Sequence, residues 1–322
     1  MRMSKPSGSR RGAEGTSVPS GGAQQPQRRT WTDRVGTKAF PYLMTLPLVL
    51  IIVILALYPT WMTLSQSFYH VDLLDPPEHF VGLKNYADVL SNVDVTNAWT
   101  NTFIYAVFGV ALTTLAGLCM ALALRRPFRG RGLVLAAMIL PWALPGIVEG
   151  IIWNWIYDPT FGVLNSVLSQ LHLIGQYQLW ISGNRIVSIF FIDIVQVWQV
   201  APLAAILMLA SLQNIPEDLH DAASIDGAGW WSELWSMTLP LIRPGIAIAV
   251  IQALIASLNI FDQVYVLNGN ATTSVSVMMQ TYEIAFQNLN FGQGYAISFL
   301  LTILTMGISV VALRFIYRKV EF

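Results

Sequence analysis

Long apolar stretches, each separated from the next by a polar segment, dominate the chain from residue 40 onward. Six of them are long enough to cross a membrane as helices, at about 40–68, 99–124, 133–157, 186–212, 246–267 and 291–317. A hydrocarbon layer of roughly 30 Å requires about 20 helical residues. No series of alternating ten-residue strands is visible, and only helices or closed barrels satisfy their backbone in lipid. The pattern therefore predicts an all-α polytopic membrane protein with six transmembrane helices.

Proline occurs inside three of these stretches: Pro47 and Pro59 in the first, Pro141 and Pro145 in the third, and Pro202 in the fourth. Proline lacks the backbone N–H group that the interior of a helix uses. Neighbouring helices in a membrane bundle can satisfy the freed carbonyl groups. We therefore expect kinked spans at these positions.

Composition agrees with a membrane protein and excludes some other classes. Hydrophobic residues make up 54% of the 322 residues and charged residues only 11%, whereas soluble domains carry roughly a quarter charged residues. The net charge is zero, which argues against a nucleic-acid partner. The single cysteine, Cys119, excludes an intrachain disulfide and a cysteine-based metal site.

The first 38 residues differ in composition from the rest of the chain. They are rich in Ser, Gly, Gln, Pro and Arg and have almost no large apolar residue before Trp31. Such a segment cannot bury enough surface to offset its chain entropy. We therefore expect a disordered basic tail at 1–38 and one six-helix transmembrane domain at 39–322.

The distribution of positive charge predicts the orientation of the spans. All but two of the 18 Lys and Arg residues lie in the tail, in the segments 125–132 and 213–245, or in the C-terminal segment from Arg314 onward; the exceptions are Lys84 and Arg185. Cytoplasmic segments of membrane proteins carry the excess of Lys and Arg. Both termini and the segment 213–245 are therefore expected in the cytoplasm.

The longest polar interruption between spans, from Asn214 to Pro244, has the signals of an ordered element. Asn214 is a candidate N-cap, Pro216 fits a first helical turn, and Glu217 completes a capping box. A stop is expected near Gly227 or Gly229, where glycine permits a left-handed turn. A second short helix is expected over residues 230–238. Two short amphipathic helices joined by a glycine turn indicate a docking element for another protein.

The same segment resembles a known signature. Asp221-Ala222-Ala223, three residues, Gly227, nine residues and then Met237-Thr238-Leu239-Pro240 are similar to E-A-A-x3-G-x9-I-x-L-P. That signature belongs to the membrane subunits of binding-protein-dependent ABC importers. Asp221 replaces the usual Glu, which is one methylene longer, and Met237 replaces the usual Ile. In addition, Phe80-Val81-Gly82-Leu83-Lys84-Asn85-Tyr86 resembles the F-x-G-L-x-N-Y element of the sugar-permease branch, the maltose and glycerol-phosphate type.

The resemblance implies a fold, a location and a set of partners. It implies the type I permease fold of ABC importers in a bacterial or archaeal cytoplasmic membrane, with one chain forming half of a carbohydrate pathway. The implied partners are a second homologous permease, two cytoplasmic ATPase subunits and an extracytoplasmic substrate-binding protein. ATP and Mg are then expected on the ATPase, and no cofactor in this chain. The segment 213–245, called the coupling loop below, would dock to the ATPase through Glu217, Leu219, Asp221, Ala222, Ala223, Ile225, Gly227, Leu239 and Pro240.

The chain itself is expected to be non-catalytic. It contains no G-x4-G-K-[ST], H-E-x-x-H or G-x-S-x-G motif, and its four histidines are scattered over loops. An intramembrane enzyme would need a catalytic constellation, and none is recognisable. The alternative transport class is a secondary transporter in which Asp193 or Asp262 carries an ion. The absence of an obvious inverted repeat argues against that class.

Polar residues inside the spans are the candidate substrate contacts, because such residues are costly in a membrane. Amide and carboxylate groups suit sugar hydroxyls, and an aromatic face suits sugar C–H surfaces. The candidates are Gln196, Trp198, Gln199, Ser257, Asn259 and Asp262. The competing interpretation is interhelical hydrogen bonding that only holds the bundle together, at about 0.6 kcal/mol per contact. The two interpretations stay open, and the sequence does not name the sugar.

Overall fold

The computed structural model describes residues 31–181, 184–268 and 273–316. The chain divides into two units, residues 1–56 and 57–322. In the first unit, helix α1 (Trp31–Ile52) leads into a π-helical turn that begins at Val53. The disorder expected of residues 1–38 therefore does not extend to residues 31–38, which are helical. Residues 1–30 lie outside the described residues.

The second unit consists almost entirely of helices, and the apolar stretches of the sequence account for the long ones. Its elements, in chain order, are α2 (Tyr58–Gln66), β1 (Tyr69–His70), β2 (His79–Phe80), α3 (Lys84–Ser91), α4 (Val93–Ala123), α5 (Arg131–Ala143), α6 (Gly146–Ile156), α7 (Val163–Gln170), α8 (Arg185–Leu212), α9 (Glu217–Ile225), α10 (Trp230–Glu233), α11 (Leu239–Leu241), α12 (Arg243–Leu258), α13 (Asp262–Leu267), α14 (Val277–Tyr282) and α15 (Phe291–Ile316). π-helical turns follow α10, at Leu234–Thr238, and α14, at Glu283–Gln287. β1 and β2 pair antiparallel, with Tyr69 opposite Phe80.

Four helical segments are long and apolar enough to cross a membrane: Tyr42–Gln66, Val93–Ala123, Arg185–Leu212 and Phe291–Arg314. Two further segments pass the same test only as bent pairs, α5 with α6 at 99° and Trp230–Leu241 with α12 at 73°. The described residues therefore hold four such helices, or up to six if each bent pair counts as one span. α8 continues through Pro202 as one helix.

The third apolar stretch is not the single kinked span that the sequence predicts. α5 ends at Ala143, and Leu144 and Pro145 both have extended backbone before α6 begins at Gly146. A residue before proline is pushed out of the helical region, and proline cannot complete the helical ladder. Pro145 therefore breaks the stretch into two helices.

The fifth stretch is also broken, and the expectation of one helix over 246–267 is wrong. α12 ends at Leu258, and α13 starts again at Asp262. The side-chain amide of Asn259 donates to the carbonyl oxygen of Ile255 at 2.8 Å. Asparagine side chains compete in this way with the helical ladder. The sequence contains no proline here, and its continuous apolar pattern concealed the break.

The centre of the bundle is formed by α4, α8 and α12, which all contact one another. Small residues permit their close approach: a Cβ atom on Gly117 would lie 2.9 Å from the Cβ of Ala204. Tyr105, Ile189 and Ile192 are fully buried between α4 and α8. The two broken stretches pack around this centre, which brings their breaks together.

The F-x-G-L-x-N-Y element has a structural role in this fold. Gly82 has φ +60°, a left-handed conformation that glycine adopts without strain. The side-chain amide of Asn85 donates to the backbone oxygens of Ser67 and Tyr69, both at 2.8 Å. The Tyr86 hydroxyl lies 2.6 Å from Ser67 Oγ. These contacts fix α3 against the end of α2 and the β1–β2 hairpin.

Candidate functional site

The first helix of the coupling loop, α9, starts later than the sequence predicts. It begins at Glu217, so Asn214 is not its N-cap, and Pro216 precedes the helix. Because a residue before proline is disfavoured in the helical region, Ile215 cannot continue a helix begun at Asn214. Ile215 is instead buried in an apolar cluster with Leu124, Leu212 and Ile242.

The predicted stop near Gly227 or Gly229 is confirmed, and it lies at Gly227. Gly227 has φ +75°, and the N–H of Ala228 donates to the carbonyl oxygen of Ala223 at 2.9 Å. This bond spans the left-handed residue as in a Schellman motif. The glycine therefore separates α9 from the next helix by a tight, hydrogen-bonded turn.

The second helix of the loop runs further than expected. Helical structure continues from Trp230 through the π-turn to Leu241, so the predicted end at Thr238 is wrong. The N–H of Leu239 donates to the carbonyl oxygen of Leu234, the wider spacing of a π-helix. A π-turn lets the backbone absorb an irregularity, here next to Pro240, which has no N–H to donate.

The predicted docking residues fall into an exposed group and a half-buried group. Ile225 is 85% exposed, and Leu219 is 38% exposed. Exposed with them are Glu217, Asp221, Ala222 and Gly227, whereas Ala223, Leu239 and Pro240 are half-buried. We call the exposed residues of α9 and its turn (Glu217, Leu219, Asp221, Ala222, Ile225 and Gly227) the docking surface. Leu239 packs instead against the apolar cluster beneath the loop.

A cluster of charged side chains ties the coupling loop to the end of α4. Glu233 Oε1 lies 3.3 Å from Arg125 Nη2 and 2.7 Å from His220 Nδ1. Arg125 follows the end of α4, His220 is on α9 and Glu233 is on α10. The sequence analysis missed the contact of Arg125 with Glu233, because two residues 108 positions apart leave no local pattern. We call these three residues the Glu233 cluster.

A polar cleft lies at the break between α12 and α13. Its volume is about 360 Å³, and α8 provides its other wall. It is lined by Gln196, Gln199, Asn259, Asp262 and Gln263 together with the apolar Val200, Ile255, Ala256, Ile260 and Phe261. Four of the six predicted substrate contacts are therefore brought together here, and Gln263 is a lining residue that the sequence analysis did not select.

The remaining two predicted contacts lie elsewhere. The Trp198 ring packs edge-on against Trp153 of α6, with ring centroids 5.7 Å apart. Ser257 is buried against Gly109 of α4, where a Cβ atom would lie 3.2 Å from Ser257 Cβ. Neither residue lines the cleft.

A chain of hydrogen bonds runs behind the cleft. Gln199 Nε2 donates to the carbonyl oxygen of Leu144 at 3.3 Å. This backbone carbonyl, at the break between α5 and α6, therefore has a hydrogen-bond donor. Gln263 Nε2 donates to Gln199 Oε1 at 3.1 Å and to Glu149 Oε2 at 3.2 Å. Both ends of this series of hydrogen bonds are acceptors, the Leu144 carbonyl and the Glu149 carboxylate. The side-chain amides of Gln199 and Gln263 can therefore each take only one orientation. These hydrogen bonds connect both broken stretches to α8.

Two glycines allow α6 and α13 to pack closely. A Cβ atom on Gly146 would lie 2.8 Å from Asp262 Cβ, and one on Gly150 would lie 2.8 Å from Val266 Cβ. Gly146 and Gly150 are four residues apart, as are Asp262 and Val266, so matching faces meet. Asp262 is thereby held at the rim of the cleft by α6.

Asp193, the other acid considered for ion transport, does not line the cleft. It is fully buried, and neither carboxylate oxygen has a hydrogen-bond partner among the described residues. Its Oδ1 approaches Gly109, where a Cβ atom would lie 2.9 Å away. Asp193 and Ser257 therefore pack on the same glycine of α4.

No group of three or more His, Cys, Asp or Glu side chains suited to a metal ion occurs within residues 31–181, 184–268 and 273–316. The chemistry of the described cleft is that of neutral amides, one carboxylate and apolar side chains. Such groups suit hydrogen bonding to a polar, uncharged solute.

Comparisons with known proteins agree with this architecture. The model of the family described as "Binding-protein-dependent transport system inner membrane component" matches residues 113–321, which is more than half of the chain. The trehalose/maltose transport system permease protein MalF of Thermococcus litoralis is 37% identical over 281 residues, covering 85% of this chain and 92% of that protein.

Two solved structures share the fold. A crystal structure of a bacterial ABC transporter that imports the acidic polysaccharide alginate matches with a TM-score of 0.75, covering 90% of this chain and 99% of that chain at 19% identity. A structure of the alginate transporter with an alginate pentasaccharide-bound periplasmic protein matches with a TM-score of 0.73, covering 89% and 96% at 19% identity. At this identity the likeness concerns the fold. With the family model and the relative in Thermococcus litoralis, it establishes that this chain belongs to the inner-membrane components of binding-protein-dependent transport systems, the permease subunits of ABC importers.

Proposed function

We propose that this permease forms half of an ATP-driven import pathway for an oligosaccharide, a disaccharide or a polyol. The observation that carries the proposal is the position of the docking surface. The first signature residues lie on the exposed helix α9, which residues 213–216 join to α8 and the helical segment Trp230–Leu241 joins to α12. These two helices also form the walls of the polar cleft. The coupling loop therefore connects the docking surface, where a partner would bind, with the two helices that line the cleft, where a solute would bind.

The chemistry of the cleft supports an uncharged, hydroxyl-rich solute. Gln196, Gln199 and Asn259 offer amide groups, and Asp262 offers a carboxylate acceptor. Phe261 adds an aromatic side chain. The trehalose/maltose name of the relative in Thermococcus litoralis points to the same class of solute.

The orientation and number of spans follow from charge and length. Up to six spans can be counted, and an even number supports a location of both termini on one side. The excess of Lys and Arg at the termini and in the coupling loop supports a cytoplasmic location for all three. The basic tail, residues 1–38, would then lie on the side of the ATPase.

The partners required by this function are four further subunits. A second homologous permease would complete the pathway, and two ATPase subunits would hydrolyse ATP with Mg at their own sites, since this chain has no nucleotide-binding motif. An extracytoplasmic protein would deliver the substrate. The alginate transporter, whose fold this chain shares, was solved with a periplasmic protein bound.

Coupling would then be mechanical. Closure of the ATPase pair on ATP would displace α9, and the displacement would pass to α8 and α12 as a rigid-body movement. The cleft lies between these helices, so their relative movement changes access to Gln199 and Asn259. The chain contributes no chemistry to ATP hydrolysis.

Reconstituted vesicles test this function. The full complex is assembled with its ATPase and substrate-binding protein, and uptake of labelled trehalose and maltose is measured with and without internal ATP. We expect uptake that needs both ATP and the ATPase. Asp221→Lys should abolish uptake and leave membrane insertion intact, whereas Asp226→Lys makes the same charge change on an exposed residue beyond α9 and should retain it. Uptake driven by an ion gradient alone, or a normal rate for Asp221→Lys, would overturn the proposal.

A further inference from the structure

We propose that Glu233 is a positioning residue that fastens the coupling helix α9 to the end of α4, so that α4 moves with α9. This inference rests on the proposed ATP-driven function. It adds a third route for the movement, besides the two covalent ones through α8 and α12. The route depends on non-covalent contacts within the Glu233 cluster, so single substitutions can remove it.

The geometry of the cluster supports a fastening role. One carboxylate oxygen, Glu233 Oε1, accepts hydrogen bonds from Arg125 Nη1 at 3.4 Å and Arg125 Nη2 at 3.3 Å, and it lies 2.7 Å from His220 Nδ1 in an ion-pair contact. The three side chains come from three different elements, and a single atom joins them. If Glu233 loses its charge, both contacts weaken at once.

Burial separates this cluster from an ordinary surface ion pair. The side chains of Arg125, His220 and Glu233 are 21%, 22% and 17% exposed. Exposed ion pairs contribute little because water screens them and long side chains lose entropy on pairing. Here the apolar cluster with Leu124 and Ile215 lies directly beneath, and the neighbouring Leu234 is buried. The side chains are therefore largely ordered by packing before they pair.

The end of α4 is itself rigid enough to receive the movement. Arg131 Nε donates to the carbonyl oxygen of Leu124 at 2.9 Å, which caps the end of α4 with a cation. Arg125 is the next residue. From there α4 runs up the centre of the bundle, where it contacts both α8 and α12. A displacement of α9 transmitted to Arg125 therefore reaches the helix that packs behind the cleft.

Removal of the Glu233 charge, and reversal of the charges in the pair, test the inference in the full complex. We expect Glu233→Ala and Arg125→Glu each to lower ATP-dependent uptake of trehalose or maltose roughly tenfold, with unchanged membrane abundance and unchanged copurification of the ATPase. The double variant Arg125→Glu with Glu233→Arg should recover at least half of the wild-type rate. Arg126→Ala is the matched control, because Arg126 is the adjacent, exposed arginine, and it should transport normally.

A distance measurement separates positioning from a general loss of stability. Spin labels are placed at Asp218→Cys on α9 and Arg129→Cys in the α4–α5 loop, with Cys119→Ser, and their separation is measured in the resting and vanadate-trapped complex. We expect one narrow distance in both states, and a broad distribution after Glu233→Ala. His220→Asn, which keeps the Arg125 pair, should broaden it less.

The outcomes are distinct. If the wild-type complex shows no ATP-dependent uptake, the proposed function fails. If the wild type transports and Glu233→Ala transports equally well, or the reversed pair is no better than the single variants, the positioning role fails while the function stands. A narrow distance that survives Glu233→Ala also overturns the positioning role.

Discussion

Gln263 on α13 donates its side-chain amide to the carboxylate of Glu149 on α6, with 3.2 Å between Nε2 and Oε2. The same nitrogen donates to Gln199 Oε1 on α8. Both hydrogens of the amide are therefore used, and Gln263 joins the two broken stretches to the centre of the bundle. The residue that makes this connection lies in neither the signature segment nor the set of residues chosen from the sequence.

Gln263→Leu should destabilise the complex and impair uptake. The substitution leaves Glu149 and Gln199 without a donor, and an unsatisfied buried polar group costs about 1–3 kcal/mol. The melting temperature of the purified complex and the rate of sugar uptake measure the two effects. Thr302→Val is the control, because that hydroxyl is exposed and bonds to Ser298 in its own helix. Equal melting temperatures for the two variants would contradict the connecting role.

Gly150→Ala should force α13 away from α6. Its Cβ atom would lie 2.8 Å from Val266 Cβ, and overpacking of this kind costs about 1–3 kcal/mol. We expect a lower melting temperature and slower uptake, both recovered in part by Val266→Ala in the double variant. Gly307→Ala meets nothing within 4 Å and should be neutral. A double variant as unstable as Gly150→Ala alone would refute the proposed contact.

Gly227→Ala should loosen the end of the coupling helix. A residue with a Cβ atom pays about 1–2 kcal/mol in the left-handed conformation that Gly227 adopts. Hydrogen exchange should become faster at the Ala228 amide, which bonds to Ala223, and less ATPase should copurify. Gly229→Ala is the matched control, because Gly229 has φ −71° and open space around it. Equal rates of hydrogen exchange at the Ala228 amide in the two variants would contradict the need for a left-handed residue at position 227.

Glu283 should make stability depend on pH. It lines a cleft with Asp94, Asn97 and Arg185, at the end of the bundle where α8 begins. Burial, with a smaller contribution from the Asp94 carboxylate, raises the pKa of Glu283 above its ordinary value. The native state therefore binds a proton at a pH where the unfolded state has released it, so stability falls as pH rises from about 4.3 through the raised pKa.

Glu283→Gln should remove the loss of stability that accompanies the rise in pH, because glutamine does not titrate. The difference in melting temperature between pH 4 and pH 8 should shrink relative to wild type, whereas Glu78→Gln, at an exposed position, should leave it unchanged. A wild-type pH profile in Glu283→Gln would show that Glu283 has the same pKa in the native and unfolded states.

Much of the architecture can be predicted from the sequence, because it depends on the local pattern of apolar residues and turn residues. The apolar stretches locate the long helices, since hydrophobic length decides what can cross a bilayer. Gly227 marks the end of α9, because only a residue without Cβ adopts the left-handed turn freely. The spacing from Asp221 to Pro240 indicates the family. These are properties of neighbouring residues.

Other expectations were wrong where a single residue overrides the pattern. Pro216 moved the start of α9 from Asn214 to Glu217, and Pro145 turned a kinked span into two helices. The break at Asn259 has no proline and sits in an apolar stretch, so hydropathy did not reveal it. Leu239 and Pro240 match the signature, yet they are half-buried, since the π-turn carries the helix onward beneath the loop.

The sequence by itself determined the class of protein, the long helices and the Gly227 turn of the segment that we propose as a docking element, because hydrophobic length and turn chemistry act locally. Only the tertiary structure decided which polar side chains meet. In the folded chain Gln263 bonds to Glu149, and Glu233 lies beside Arg125 and His220. Trp198 and Ser257 do not line the cleft. Such pairings depend on how two breaks and three central helices pack, and residues far apart in sequence carry no local record of that packing.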